Sequence, residues 1–298
     1  MDDVNPLAHK NVLLLTLGMD RSLVAKPIIA AALHAVQNAL EETRANLSIA
    51  NVPAADRVPE VLLRKSFDGV IIKSALQGGD LLTDGSPALI NEIKRIPTVW
   101  ILGRPARAWG DVVHSNDMVI GQMAAEYLTA RGHQRLAFLS PKPSYMAVTR
   151  RLASFTAFAE QAGADVKVYL GDPGKWCFPV PAINHVEAVQ DLVDKLLAER
   201  NCPTAIFAPD DSVAAMVVRA LTVRGLQAGR EISLMACNND QQLLMGIYPQ
   251  LTTIDMHADE IGRRAVDQLA WRITRGDRPP CEVVVDPTLV EGESVVQL

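Results

Sequence analysis

The sequence predicts an α/β protein made of two successive β/α sets, and three observations predict it. Short apolar runs of strand length alternate with stretches of helical periodicity from Asn11 onward. The runs are apolar on consecutive residues, the mark of strands covered on both faces in a parallel sheet. Several run directly into polar or charged residues, at the strand tips where open parallel sheets collect their ligands.

Asn11–Leu17 is the first such run, closed by Gly18, and Ile29, Leu33, Val36 and Leu40 follow on one helical stripe. Leu47–Val52 and Asp68–Ser74 read as strands on either side of a short helix around Pro59–Lys65. Leu89, Ile90 and Ile93 mark another helix before the strands Pro97–Gly103 and Asp111–Ser115. A second set begins at once: Ile120, Ala124, Tyr127 and Leu128 share a helical face that ends at Gly132, a helix-stop residue. Strand Leu136–Ser140, helix Arg151–Ala162, strand Val166–Leu170 and helix Val186–Glu199 come next. Strand Thr204–Ala208, helix Ser212–Arg224 and strand Ile232–Cys237 complete the set. The rhythm then changes to strand Leu251–Asp255, a long helix His257–Thr274 and strand Glu282–Asp286. Alternation of this kind requires right-handed crossovers.

This pattern predicts two lobes: residues 11–115 with 257–282, and residues 116–256 with 283–298, after a leader of residues 1–10. No low-complexity linker separates them, so strand crossings are expected to form the hinge.

Of the 298 residues, 49% are hydrophobic and 21% charged, enough for a large core. A net charge of −5 supplies no electrostatic footprint for nucleic acid, so DNA binding by this chain itself is not expected. Cys177, Cys202, Cys237 and Cys281 form no C-x-x-C pair and read as free thiols of a reducing cytosol. The run Val12 to Leu17 is too short for a signal segment or a membrane span.

Arg151 follows a strand tip and offers a planar fork suited to vicinal hydroxyls or a carboxylate, although a surface arginine is the plainer reading. Asp211 is expected to cap the following helix, leaving Asp210 to face a ligand. Asn238, at another strand tip, suits either turn bonding or a sugar hydroxyl, and Asn116 presents the same choice. Trp176, on a loop, is a stacking plate for a ring or an anchor of that loop. Met19 and Asp20 are weaker candidates for an opposite wall. Phosphate-binding glycine loops, the Gly-x-Ser-x-Gly elbow and His-Glu-x-x-His are absent, and the histidines are scattered. No metal, cofactor or reaction centre is expected.

Several stretches together resemble one family. Asn116 to Leu136, with Gly121, Ala124-Ala125-Glu126-Tyr127-Leu128 and Arg131-Gly132-His133-Gln134-Arg135, is similar to a characteristic segment of LacI/GalR-type bacterial regulators. Arg151-Leu152-Ala153-Ser154-Phe155, Pro203 to Phe207, Pro249 to Ile254 and Leu289 to Val295 resemble it in the same order. The resemblance implies a periplasmic-binding-protein-like core with two lobes, three crossovers, an effector in the cleft and a homodimer. Arg151 then matches the effector-gripping arginine, Asp210 an Asn or Asp ligand, and Asn238 and Asn116 positions usually held by Asp. Trp176 falls near the stacking aromatic, and Met19 and Met256 at cleft-lining positions. Asn238 removes a carboxylate from the usual pocket, and Ser154 replaces a common glycine.

The expected function is therefore effector binding, a sugar first and a nucleobase second, with lobe closure communicated to a helix-turn-helix headpiece. About ten residues precede the first strand, so operator DNA is expected to be met only through a headpiece outside this chain. A transport-type solute-binding protein and an enzyme using Asp210 and Asp211 are the rivals.

Overall fold

The computed structural model describes residues 5–75, 81–172, 179–180 and 185–298. In chain order the first half runs β1 (Asn11–Leu17), α1 (Arg21–Val24), α2 (Pro27–Glu42), β2 (Asn46–Val52), α3 (Glu60–Arg64), β3 (Gly69–Ser74), α4 (Leu81–Asp84), α5 (Pro87–Lys94), β4 (Thr98–Ile101) and β5 (Asp111–Ser115). Then follow α6 (Asp117–Ala130), β6 (Arg135–Ser140), α7 (Met146–Gln161), β7 (Asp165–Leu170), α8 (Val186–Leu197), β8 (Ala205–Phe207), α9 (Asp211–Val223) and β9 (Ser233–Met235). The chain ends with α10 (Gln241–Leu244), β10 (Thr253–Asp255), α11 (Ala258–Thr274), β11 (Glu282–Val285) and β12 (Thr288–Val290).

These elements divide into two units. The first comprises Met1–Ser115, Lys175–Ala182 and His257–Val285; the second comprises Asn116–Gly174, Ile183–Met256 and Asp286–Leu298. Two segments differ from the expected partition, for one reason: backbone pairing. Val180 accepts from the Asp20 amide and donates to the Gly18 carbonyl, which ties it to the end of β1. Val283 to Val285 pair in parallel with β5, so β11 closes the edge of the first unit's sheet. The antiparallel pair β10–β12 lies in the second unit; β10 falls within the expected strand Leu251–Asp255, whereas β12 is not among the expected strands.

In the first unit a six-stranded parallel sheet has the order β11-β5-β4-β3-β1-β2. One face packs Leu13, Leu15, Leu17, Val70, Ile72 and Trp100 against Leu89 and Ile93 of α5. On the other face α2 and α11 cross so closely that a Cβ on Gly262 would lie 2.5 Å from the Ala32 carbonyl oxygen and 2.6 Å from the Ala35 Cβ. The second unit has a four-stranded parallel sheet, β7-β6-β8-β9. Phe138 of β6, Phe155 of α7 and Phe207 of β8 form an aromatic trio with centroids 5.1 to 6.1 Å apart, an edge-to-face and tilted arrangement that favours ring packing.

The first unit is pinned by a buried ion pair. Asp111 at the start of β5 takes Arg272 of α11 in two bonds of 2.5 and 2.9 Å, and also accepts from Gln268 and the Cys281 amide. Burial acts to raise the Asp111 pKa, but the bonds from Arg272 and Gln268 outweigh it and hold the carboxyl below its usual range. Arg272 also donates to the Arg278 and Pro279 carbonyls, so one guanidinium fixes the turn between α11 and β11. Removing one partner of such a pair strands a buried charge, at a cost of roughly 3–5 kcal/mol. Asp111→Ala is therefore expected to lower the urea unfolding free energy by about that amount, and a loss below about 1 kcal/mol would show that the pair contributes little.

Candidate functional site

The second unit gathers its polar residues at the carboxyl ends of its strands. In the order β7-β6-β8-β9 the connections leave in opposite directions from β6 and β8, which makes the gap between those two tips the topological switch point. Arg151 is carried there by α7. That helix begins at Met146, so Arg151 lies more than a turn inside it and does not head it as the spacing suggested. Phe155, four residues later, shares its face and is locked in the aromatic trio, which fixes Arg151 one turn closer to the strand tips. Gly121 lets α6 approach: a Cβ there would lie 2.4 Å from the Arg151 carbonyl oxygen.

Arg151 is only 4% exposed. Its Nε donates to Asp117 at 2.9 Å, and one terminal nitrogen donates to the Pro209 carbonyl at 2.5 Å and faces the Asn238 Oδ1 at 3.5 Å. Among the described residues the other terminal nitrogen meets only the Met256 sulfur at 3.9 Å, a weak acceptor. Burial opposes the charge, the bonded Asp117 carboxylate and nearby Asp210 favour it, and the guanidinium is held above its ordinary pKa. Nearby Cys237 is a neutral thiol, pushed up to about 12 by burial. Asn238 adopts a φ of 118°, rare for a residue with a side chain, and its amide donates to the Ile254 carbonyl at 2.8 Å.

The cap of α9 falls to the other aspartate than expected. Asp210 is the cap of α9, accepting from the Val213 amide at 2.9 Å. It also bonds the Ser212 hydroxyl and takes an ion pair from Lys142 at 2.9 Å. Asp211 is fully buried and accepts from the Asp240 amide and the Thr253 hydroxyl, both at 2.7 Å. The extended backbone before a helix places the first aspartate, not the second, over the orphan amides.

Lys142 was missed by sequence reasoning. It lies in the loop after β6, is 4% exposed, and bridges the switch point to Asp210. The signal was available, since Lys142 is the first charged residue after the apolar strand β6. Asn116 caps α6 through the Val119 amide and donates to Asp286 at 2.9 Å. Asp117, beside it, is the residue that reaches Arg151. In the first unit Met19 is buried and paired through its backbone to Val180, and Asp20 caps α1 while accepting from Ser22. The Ser22 hydroxyl bond, followed by the Leu23 amide, lowers the Asp20 pKa. Trp176 lies outside the described residues.

Among the described residues there is no cluster of His, Cys, Asp or Glu that would hold a metal. What the second unit's tips offer instead is donors and acceptors at fixed positions around one guanidinium. The model of the periplasmic binding protein-like domain matches residues 125–295, more than half of the chain. The chain belongs to that family. Over this span it corresponds to the effector-binding core of LacI-type repressors. It is 25% identical over 286 residues to the ribose operon repressor of Escherichia coli K12, covering 94% of this chain and 82% of that protein. It is 28% identical over 259 residues to the HTH-type transcriptional repressor PurR of Escherichia coli O1:K1, covering 87% of this chain and 68% of that one. A LacI family transcriptional regulator from Enterococcus faecium, solved with bound ribose, shares the fold with a TM-score of 0.74 at 20% identity, over 96% of this chain and 99% of that one. Both of these Escherichia coli relatives are named as repressors. No helix among the described residues is long and apolar enough to cross a membrane.

Asp211 makes stability depend on pH. Burial pushes its carboxyl up to about 7, against the opposing bonds from Asp240 and Thr253. The native state thus binds a proton that the unfolded chain releases near pH 4. This group's contribution is full below that point and is lost as pH rises toward 7. Asp211→Asn keeps an acceptor for Asp240 and a partner for Thr253 without the charge. Unfolding of the wild type should therefore weaken by up to about 4 kcal/mol more than that of the variant between pH 4 and pH 8. Parallel pH profiles in denaturant titrations would refute this.

Proposed function

We propose that this chain is the effector-sensing core of a cytoplasmic transcription regulator, and that its effector is a sugar or sugar derivative. One observation supports this above the others. The outer terminal nitrogen of Arg151 sits at the strand tips with a thioether as its only acceptor among the described residues. A guanidinium edge left in that state is suited to two neighbouring hydroxyls or a carboxylate. Asn238 and the Asp210–Lys142 pair add the mixed donors and acceptors that a polyhydroxylated ring requires. Relatives named for ribose regulation and a structural neighbour holding ribose point the same way.

In this reading Arg151, Asp210 and Asn238 contact the effector, with Asn116, Trp176, Met19, Asp20 and Met256 as supporting positions. The core is homodimeric, and its effector shifts the population of states that differ in affinity for that effector. Operator DNA is read by a helix-turn-helix headpiece and not by this acidic core.

A thermal-shift panel of sugars, nucleosides and nucleobases tests the reading. A ligand at one hundred times its dissociation constant stabilises by about 2.7 kcal/mol, a readily visible shift. Arg151→Lys retains the charge beside Asp117 but loses the planar fork, and is expected to weaken the hit at least tenfold with its circular dichroism unchanged. Unaltered affinity would move the site elsewhere, and a panel in which only bases respond would replace the sugar. Sedimentation at micromolar concentration should give a dimer, and a monomer there would remove that part of the proposal.

A further inference from the structure

All six strands of the first unit's sheet are parallel, so all six enter it from one edge. Each entry carries a cation within four residues of its strand. Lys10 precedes β1, Arg44 precedes β2 and Lys65 precedes β3. Lys94 and Arg95 precede β4, Arg107 precedes β5 and Arg278 precedes β11. The same stretches hold two acids, Glu42 and Asp68. Lys10 is half-buried and the other cations are exposed. The net charge of −5 is a whole-chain sum that conceals this local excess of positive charge.

Helix ends explain part of it. Lys94 closes α5, Arg95 caps it, and Arg44 follows the cap of α2, where cations complement the helix dipole. Lys10 and Arg107 follow no helix end. The second unit also returns from helices to four parallel strands, yet the matching stretches there hold Arg131 and Arg230 beside one acid, Glu231. Internal pairing does not use up the charge either. Lys10 meets Asp68 at 3.1 Å and Arg95 meets Glu92 at 2.9 Å, but among the described residues no acid pairs with Arg44, Lys65 or Lys94.

The leader is fastened to the same edge. Leu7 is fully buried, the His9 amide donates to the Arg44 carbonyl at 3.0 Å, and the Asn5 side chain donates to the Thr43 carbonyl at 3.4 Å. A domain joined ahead of residue 5 therefore meets this chain beside the cations.

We propose that this edge holds the phosphate backbone of duplex DNA. The inference rests on the regulator reading above and deepens it: a headpiece reads the bases, and the edge adds attraction that is blind to sequence. Six strands about 4.8 Å apart make an edge about 24 Å long, and a duplex carries one charge per about 1.7 Å of its axis, so the row of cations spans several phosphates.

Anisotropy of a labelled duplex of arbitrary sequence, titrated with this chain at several salt concentrations, tests it. Binding should be measurable at about 20 mM salt and weaken with a log–log slope of about −3 to −6, roughly 0.9 for each phosphate met. Lys65→Gln combined with Lys94→Gln removes two exposed, unpaired cations and should make the slope shallower by about two, with the unfolding midpoint unchanged. Lys195→Gln combined with Arg200→Gln removes two exposed cations from the second unit and should leave the slope where it was. Absence of binding at the lowest salt overturns the proposal, as does an unaltered slope in the Lys65 and Lys94 variant. Polyglutamate that binds the edge more tightly than the duplex would replace DNA with an acidic protein segment. The thermal-shift panel does not depend on this edge, so a silent edge leaves an effector-binding core standing, and a bound duplex does not rescue a core that answers no effector.

Discussion

The site in the second unit depends on keeping one guanidinium charged inside protein. Taking Arg151 out of water carries a penalty of several kcal/mol, which a single counter-ion seldom offsets. The structure distributes the compensation. Asp117 meets the Nε edge, the Pro209 carbonyl and Asn238 meet one terminal nitrogen, and the remaining edge is left to sulfur. Asp117 itself sits in the first turn of α6, where the helix dipole favours a carboxylate. Each contact comes from a different strand tip or helix start, so Arg151 is correctly held only if α6, α7 and the ends of β8 and β9 are all in register. The aromatic trio and the close contact at Gly121 serve that alignment.

Three buried cations show three uses of the same physics. Arg272 is saturated: Asp111 takes its fork and backbone carbonyls take the rest, so it has nothing left to offer a ligand. Arg151 is saturated on two sides and open on one. Lys73 is bound at a single point among the described residues. A network fully satisfied from within favours rigidity, and one with spare donors at a strand tip favours recognition. Position separates the cases too. Arg272 belongs to the end of α11, far along the chain from any strand tip, while Arg151 stands beside the switch point of its sheet and Lys73 one residue from the end of β3.

The fold was legible because both parallel sheets write themselves as unbroken apolar runs, and β1, β3, β6 and β8 lie almost where those runs fall. Less legible were elements defined by pairing. β12 is three residues long with mixed burial, and only its ladder with β10 makes it a strand. β11 joins β5 across a gap of well over a hundred residues, which no local pattern reveals. In the site, Arg151 and Asp210 stood out as charges after apolar strands, but their roles did not. Which aspartate caps α9 turns on a backbone angle at Asp210, and that the other is buried against Thr253 and Asp240 is a tertiary fact. Lys142 is the first charge after β6, but the prolines on either side of it read as plain loop.

Lys142 also changes what Asp210 can do. A capping carboxylate with one oxygen on the Val213 amide and Ser212 would otherwise present its second oxygen to any ligand at the switch point. Here that oxygen is taken by the Lys142 ammonium at 2.9 Å. A ligand hydroxyl can still share the carboxylate, since an ionised oxygen accepts from more than one donor, but it meets a neutralised pair. The same tip also lacks charge at Asn238, and Asp211 is half-protonated near neutral pH. At this tip the Asp210 charge is thus neutralised by Lys142, position 238 carries an amide, and burial holds Asp211 above the usual carboxylate range.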